Sequence, residues 1–435
     1  MQHWPAPHPA HPVEGSLRLP GSKSLTNRYL VLAALANGPS TLREPLKSRD
    51  TDLMIGALRS LGAVIEEVPG EGSFGPDLLV RPTPRAASGD TEVDCGLAGT
   101  VMRFVPVLAA LRSGRTRFIG DAQARVRPMN PVLDSLRAMG VRLESSEDST
   151  LPFSILGTGN VTGGPVTINA GASSQFVSAM LLAGARFDDG LTLEHDGDTV
   201  PSPEHIAMTV DVLRSVGVDI DDSVSGRWKV FPGAIQAFDI HIEQDLSNAA
   251  PFLAAAVATR GRVQIPDWPV VTTQIGDRLR HLLVQLGSSV EFDGGTVTVT
   301  GGAEIQGGTF AATGELAPVI AALCALADTP STLTGIAHLR GHETNRLAAL
   351  TTEINGLGGD VEETADGLFI RPKRLHGGVF HTYNDHRMAM AGAVLGLAIA
   401  DIDIENIATT SKTIPGFADL WSELAAQAST TAGER

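Results

Sequence analysis

Five segments of the chain are variations on one theme: LRSLGAVIEE (58–67), LRAMGVRLES (136–145), LRSVGVDIDD (213–222), LVQLGSSVEF (283–292) and INGLGGDVEE (354–363). Their pivotal glycines, Gly62, Gly140, Gly217, Gly287 and Gly358, lie 78, 77, 70 and 71 residues apart by subtraction. Each segment reads as a helix closed by glycine and followed by a strand of alternating polarity, as along Val290 to Val299. The period is too long for a stacked solenoid, so a few large units are expected.

Upstream of each glycine lies a second helix of different character, nearly all Ala, Leu, Val, Ile and Met: 25–36, 99–111, 174–185, 247–258 and 315–327. A sixth, 386–400, has no clear glycine-ended partner. Helices that are apolar on every side are buried on every side. Sheets and amphipathic helices are therefore expected to wrap them, the reverse of a Rossmann sandwich, whose strands are the most buried element. Six such units in 435 residues imply an α/β fold of two domains with three units each.

Composition narrows the function. The charge sum is 33 − 49 = −16, which argues against nucleic acid or an anionic membrane surface as partner. Only Cys95 and Cys324 occur, too few for a disulfide framework or a cysteine zinc site, and a reducing, cytoplasmic setting is expected. The start has no signal-peptide pattern, and the longest apolar run, Met388 to Ala400, is too short to span a bilayer. The Pro/His-rich opening to about Pro12 and the tail from about Ala428 read as frayed ends.

The starts of the apolar helices carry the chemistry: PGSKSLTNR (20–28), GLAGTVMR (96–103), GASSQF (171–176), QDLSNAA (244–250), TGELAP (313–318) and YNDHRMAM (383–390). A lone Ser or Asn there is a cap. Lys23, Arg28 and Arg387 stand where the helix dipole disfavours a cation by ~0.3–1 kcal/mol each, so something anionic is expected to compensate. Further basic groups sit in RVRP (125–128), HETNR (342–346) and TSKTIPGF (410–417). Singly, Arg127 or Arg346 reads as a surface ion pair. Together, Lys23, Arg28, Arg103, Arg127, Arg346, Arg387 and Lys412 suit phosphate and carboxylate ligands, and Glu315 and Glu343 offer acid/base chemistry among them. Gly-Ser-Lys-Ser is not a P-loop, because Ser22 intervenes and the earlier glycine is missing.

In this order, PGSKSLTNR, LAGTVMR, RVRP, SSQF, HETNR, NDHRMAM and SKTIPGF closely resemble the 5-enolpyruvylshikimate-3-phosphate synthase family, the 3-phosphoshikimate 1-carboxyvinyltransferases of aromatic amino-acid biosynthesis, from about Pro20 to Trp421. The resemblance implies a two-domain inside-out α/β barrel of six βαβαββ units, with apolar helices inside and the ligand site in the cleft between domains. Residues 1–20 and 244–435 would form a discontinuous domain with both termini, and 21–243 a contiguous one. It also implies transfer of the enolpyruvyl group of phosphoenolpyruvate to the 5-hydroxyl of shikimate 3-phosphate, with phosphate released through a tetrahedral ketal. No metal and no organic cofactor are implied, nor any partner beyond the two substrates; a monomer is expected.

By the same resemblance Lys23 serves both substrates and catalysis. Ser24, Arg28, Ser173, Ser174, Gln175, Ser202, Glu315 and His342 match the shikimate 3-phosphate set. Gly99, Arg127, Gln175, Arg346, His386, Arg387 and Lys412 match the phosphoenolpyruvate set. Glu315 stands at the base position, usually aspartate, and Glu343 at the position that moves a proton at carbon. His342 replaces a common lysine, His338 an asparagine, Leu97 an asparagine, Phe104 a proline and His205 a tyrosine. The sister transferase acting on UDP-N-acetylglucosamine is the nearest rival, but it typically has Lys-Asn in its first motif and a loop cysteine. Here Ser24 follows Lys23. A non-catalytic anion-binding homologue is the other alternative, disfavoured by the presence of Lys23, Arg127 and both carboxylates.

Overall fold

The computed structural model describes residues 3–84 and 87–427. Two compact units divide the chain: a contiguous one, Pro20–Glu243, and a terminal one made of Met1–Leu19 and Gln244–Arg435. Each has its own hydrophobic core.

Helices come in pairs. In the contiguous unit these are α1 (Lys23–Leu35) and α2 (Arg49–Ser60), α3 (Gly99–Ala109) and α4 (Asn130–Ala138), and α5 (Gln175–Gly184) and α6 (Glu204–Ser215). The terminal unit has α7 (Ala249–Thr259) and α8 (Leu279–Gln285), α9 (Ala317–Ala325) and α10 (Arg346–Gly356), and α11 (His386–Ala398) and α12 (Phe417–Gln427). The first member of each pair is the apolar one. Every residue of α9 is buried, and so is every residue of α11 up to Leu397. The second member buries one face only, as α2 does with Met54, Ile55, Ala57 and Leu58. Helices form the inside of each unit because a helix without a polar face has no stable place at a surface.

The glycine-ended turns repeat atom for atom. Gly62, Gly140, Gly217, Gly287 and Gly358 all have positive φ, between 80° and 106°. Each glycine N–H bonds the carbonyl three residues back, and the next N–H reaches five back: Ala63 to Leu58, Val141 to Leu136, Val218 to Leu213, Ser288 to Leu283 and Gly359 to Ile354. This is the Schellman closure, which satisfies the last helical carbonyls and turns the chain into the next strand.

Among the described residues the strands fall into six sheets, five of four strands and one of three. In the sheet of Gly164–Ile168, Leu191–His195, Ile220–Asp221 and Arg227–Val230, the first two pair in parallel and the others add an antiparallel hairpin. The same order recurs in each four-stranded sheet. In each unit one first strand is borrowed from afar: Asp239–His241 lies parallel to Ser40–Arg43, and Glu14–Ser16 parallel to Arg262–Ile265.

Two expectations need correction. The opening is not frayed: Trp4 and Pro5 pair with Ile404 and Asp403, completing the three-stranded sheet with Gly378–Phe380. His8 Nδ1 lies 3.2 Å from the Gly396 carbonyl. Trp4–Pro5 thus takes the place of the inner hairpin strand of the four-stranded sheets. The tail from Ala428 lies outside the described residues. Val290 to Val299 is also not one strand but two, Ser289–Asp293 and Thr296–Thr300, folded back at Gly294 and Gly295, whose positive φ values make the turn.

The repeat geometry makes separable predictions for stability. Gly140 has open space where a Cβ would go, so Gly140→Ala carries only the left-handed backbone penalty, an expected loss of about 1 kcal/mol. Leu323→Ala, at a fully buried position of α9, is expected to cost about 2–5 kcal/mol through the cavity it leaves. Denaturant unfolding measures both, and equal losses would contradict the inside-out arrangement.

Candidate active site

In the contiguous unit the chain enters α1 through Gly21, where a Cβ would stand 2.4 Å from the Glu44 carbonyl oxygen, so only glycine fits. Ser22 caps the helix and Lys23 is its first residue. Lys23 Nζ lies 3.6 Å from Asp50 Oδ2, on α2. One turn on, Arg28 is 2% exposed. Its guanidinium donates to Thr209 Oγ1 (2.8 Å), the Ser24 carbonyl (2.9 Å) and the His205 carbonyl (3.0 Å), and the Phe104 ring stands 5.6 Å from Cζ. Neutral acceptors and an aromatic face thus orient this arginine.

A second focus surrounds Gly99, the first residue of α3. A Cβ there would meet Gln175 Oε1 at 3.0 Å, Arg103 at 3.3 Å and Arg127 at 3.3 Å. Gln175 opens α5, and Arg127 ends the short turn Ala124–Val126. Arg127 Nε and Gln175 Oε1 are buried with no hydrogen-bond partner among the described residues. Buried polar atoms are rarely left so; Arg127 Nε is the donor of the two and suits an anion, whereas Gln175 Oε1 only accepts. Ser173 Oγ accepts from the Gln175 N–H, and Ser174 precedes α5 as its cap residue. Ser202, at φ 51°, lies apart from them in sequence at the turn into α6, and its carbonyl accepts from His205.

The terminal unit brings six of the expected residues into linked contact. Glu315, in the turn Gly314–Leu316 leading into α9, accepts from Ser247 Oγ (2.5 Å) and lies 3.4 Å from Arg387. Arg387 also donates to the Ser247 carbonyl (2.8 Å). Arg346 opens α10 and is 2% exposed; it forks onto Asp385 (2.8 and 3.1 Å) and reaches Glu343 (2.8 Å). Lys412 donates to the other Glu343 oxygen (2.6 Å). His342 Nδ1 lies 3.2 Å from Arg346 NH1; arginine only donates, so this ring nitrogen is the acceptor. His386 is buried as the first residue of α11. Burial works against the Arg346 charge, but Asp385 and Glu343 outweigh it and hold the guanidinium more firmly protonated than in water.

Glu343, Asp385 and His386 offer atoms within 4.8 Å of one another, a spacing that a cation can use. Arg346 and Lys412 already neutralise those carboxylates, so the donor set fits a metal poorly. Sequence reasoning missed Asp385, Ser247, Ser178 and Thr209. Asp385 and Ser247 lay within quoted helix starts, where they read as caps. Ser178 had a signal: it is the one hydroxyl in the apolar run QFVSAMLLAG, and it accepts from Thr209 Oγ1 at 2.8 Å.

Asp385 is aimed by a strained turn. Tyr383 and Asn384 both have positive φ, 54° and 55°. Glu353 of α10 holds the turn, accepting from the Tyr383 hydroxyl (2.6 Å) and the His381 N–H (2.8 Å).

An inside-out α/β fold whose buried helices begin in clustered arginines, lysines and carboxylates defines a protein that handles small polyanions. A family sequence model described as EPSP synthase (3-phosphoshikimate 1-carboxyvinyltransferase) matches residues 7–421, and the chain belongs to that family. It is 58% identical over 427 residues to a 3-phosphoshikimate 1-carboxyvinyltransferase of Kocuria rhizophila, covering 97% of this chain and 96% of that one. Two solved structures of EPSP synthase from Acinetobacter baumannii, each 24% identical with 98% of both chains covered, share the fold with TM-scores of 0.79 and 0.77.

Burial and the Glu353 bond push the Tyr383 hydroxyl up to about 12 from 10.0. The folded state therefore keeps a proton that the unfolded state loses, and stability is full below pH 10 and lost from pH 10 towards 12. The stability difference between wild type and Tyr383→Phe is expected to be flat below pH 9 and to shrink above pH 10. A constant difference up to pH 12, read by denaturant titration, would sink this account.

Proposed function

We infer that the chain transfers the enolpyruvyl group of phosphoenolpyruvate to the 5-hydroxyl of shikimate 3-phosphate and releases phosphate. The observation that carries this reading is the seating of two carboxylates among cations, Glu315 against Arg387 and Glu343 between Arg346 and Lys412. The relative at 58% identity supports the same reaction.

Both substrates carry phosphate and carboxylate, and their mutual repulsion is offset when many cations and helix starts surround them. Lys23, Ser24, Arg28, Ser173, Ser174, Gln175 and Ser202, with Glu315 and His342, are the residues proposed to bind shikimate 3-phosphate. Gly99, Arg127 and Gln175 meet phosphoenolpyruvate, with Arg346, His386, Arg387 and Lys412. Glu315 takes the proton of the 5-hydroxyl as that oxygen bonds the central carbon of phosphoenolpyruvate, while Glu343, protonated once the substrate anions have taken over Arg346 and Lys412, gives its proton to the methylene. In the ketal that results, Glu343 takes back a methyl proton as the bond between carbon and the phosphate oxygen breaks, and the proton held on Glu315 leaves with the phosphate. Lys23 and the arginines stabilise the charge gathering on the departing phosphate.

The UDP-N-acetylglucosamine alternative typically uses a loop cysteine. Cys95 and Cys324 are 0% and 1% exposed, and burial pushes both thiols up, Cys324 to about 12. No helix among the described residues is long and apolar enough to cross a membrane. Action as a cytoplasmic monomer is part of the same proposal.

With chelator present, phosphate release is expected only when phosphoenolpyruvate and shikimate 3-phosphate are both supplied. Release with UDP-N-acetylglucosamine instead would overturn the reading. Glu343→Gln is expected to lower kcat by about 10²–10⁴-fold. Gly99→Ala places a methyl against Gln175 and Arg127, so a raised KM for phosphoenolpyruvate is expected; an unchanged KM would remove that substrate from the Gly99 focus.

A further inference from the structure

Glu315 is a glutamate on a one-turn element, with three rotatable side-chain bonds and a side chain 24% exposed. A carboxylate so free would spend little time in one geometry unless something beneath it fixed both oxygens. Ser247 does so. It stands just ahead of α7, is 4% exposed, and donates its hydroxyl to Glu315 Oε1 at 2.5 Å. Its backbone carbonyl receives Arg387 NH1 at 2.8 Å, while Arg387 NH2 lies 3.4 Å from Glu315 Oε2. Serine, glutamate and arginine thus close a ring at the starts of α7, α9 and α11, the three buried helices of this unit. One serine supplies both the bond to one carboxylate oxygen and the seat of the cation that faces the other.

We propose that Ser247 is the positioning residue of Glu315, fixing the orientation of its carboxylate and favouring its ionised form. This rests on the enolpyruvyl-transfer reading for its kinetic consequence, though not for its geometry. A capping role explains Ser247 less well. The N–H groups at the start of α7 have other acceptors: the Asn248 N–H goes to Asp245 Oδ1, and the Ala249 N–H to the Asp245 carbonyl. Asp245 therefore receives the first two donors, and Ser247 takes the Ala250 N–H at its carbonyl (3.4 Å), not at its hydroxyl. Charged groups facing Glu315 include Arg387 on α11 and Arg346 on α10. Guanidinium groups do not titrate near neutrality and a serine hydroxyl does not either, so the carboxyl is the member of the ring that titrates. A hydrogen bond to a carboxylate favours its charged form, and losing it moves titration to higher pH.

Three full-length variants test this: Ser247→Ala, Ser247→Thr and Ser247→Ala combined with Glu315→Asp. Ser247→Ala is expected to lower kcat by about tenfold while KM for either substrate changes less than about twofold. The acidic limb of its kcat–pH profile should move up by about one pH unit, and Ser247→Thr should restore it. In the Glu315→Asp background the shorter side chain no longer reaches Ser247, so Ser247→Ala should add no further loss. Carbon-13 carboxyl NMR of the unliganded protein gives a readout without turnover. The Glu315 signal, assigned by its loss in Glu315→Gln, should titrate about one pH unit higher in Ser247→Ala than in wild type. A titration midpoint and acidic limb that stay in place, with only thermal stability lowered, would reduce Ser247 to a structural role and overturn the proposal. Wild-type protein that releases no phosphate would overturn the enolpyruvyl reading instead, and the NMR midpoint would still decide for or against Ser247.

Discussion

A helix that is apolar around its whole circumference can meet water only at its ends. α9 and α11 have almost no exposed residue along their length, so the fold leaves them no lateral surface on which to place a polar group. Function is forced to the termini. The N-terminal end is the one suited to anions, since its N–H groups are unpaired and the dipole is positive there. The clustering of Lys23, Gly99, Gln175, Ser247, Glu315 and Arg387 at such starts follows from where hydrophobic burial leaves room.

Cations at a positive helix end are electrostatically awkward, and the protein offsets them with its own acids. Asp50 faces Lys23, Asp385 and Glu343 hold Arg346, and Glu343 also holds Lys412. Removing one partner of a buried pair costs about 3–5 kcal/mol, much of it from the charge left alone. The carboxylates therefore keep Arg346 ionised and the paired cations in place before any ligand arrives. Glu343, 12% exposed and shared between two cations, is the acid best placed to exchange partners with an incoming anion.

Much of this was legible in the sequence because it follows from local rules. The five glycine-ended turns need positive φ at a fixed place, and Gly62, Gly140, Gly217, Gly287 and Gly358 announced it. The apolar helices announced themselves by lacking a polar face. What stayed hidden depends on contacts distant in sequence. The two-residue strand Trp4–Pro5 exists only because Ile404 and Asp403, some four hundred residues away, have an edge to pair. Ser247 looked like a cap because a cap and a residue that holds a distant side chain are of the same types at the same positions, and only its partner Glu315, ahead of another helix, tells them apart. Asp385 does cap α11, and its second task, holding Arg346 of α10, left no mark in the sequence. The cage around Arg28 was invisible for the same reason, since Thr209 and His205 reach it from α6.

The strained turn before α11 shows how geometry is held at a distance. Two consecutive non-glycine residues in left-handed backbone cost about 1–3 kcal/mol each, and they persist only where the surroundings over-determine them. Here α10 grips the turn twice. Arg346 at its start takes Asp385, and Glu353, two turns further along, takes Tyr383 and His381. Asp385 is 0% exposed and also accepts the Arg387 N–H, so its position fixes Arg346 and Arg387 together. Those arginines in turn set where Glu343 and Glu315 stand. A relaxation of Tyr383 and Asn384 towards ordinary backbone would therefore be felt at both carboxylates. The strain is tolerated because α10 and α11 are anchored along their lengths by the core, and the turn between their polar starts must absorb whatever mismatch remains.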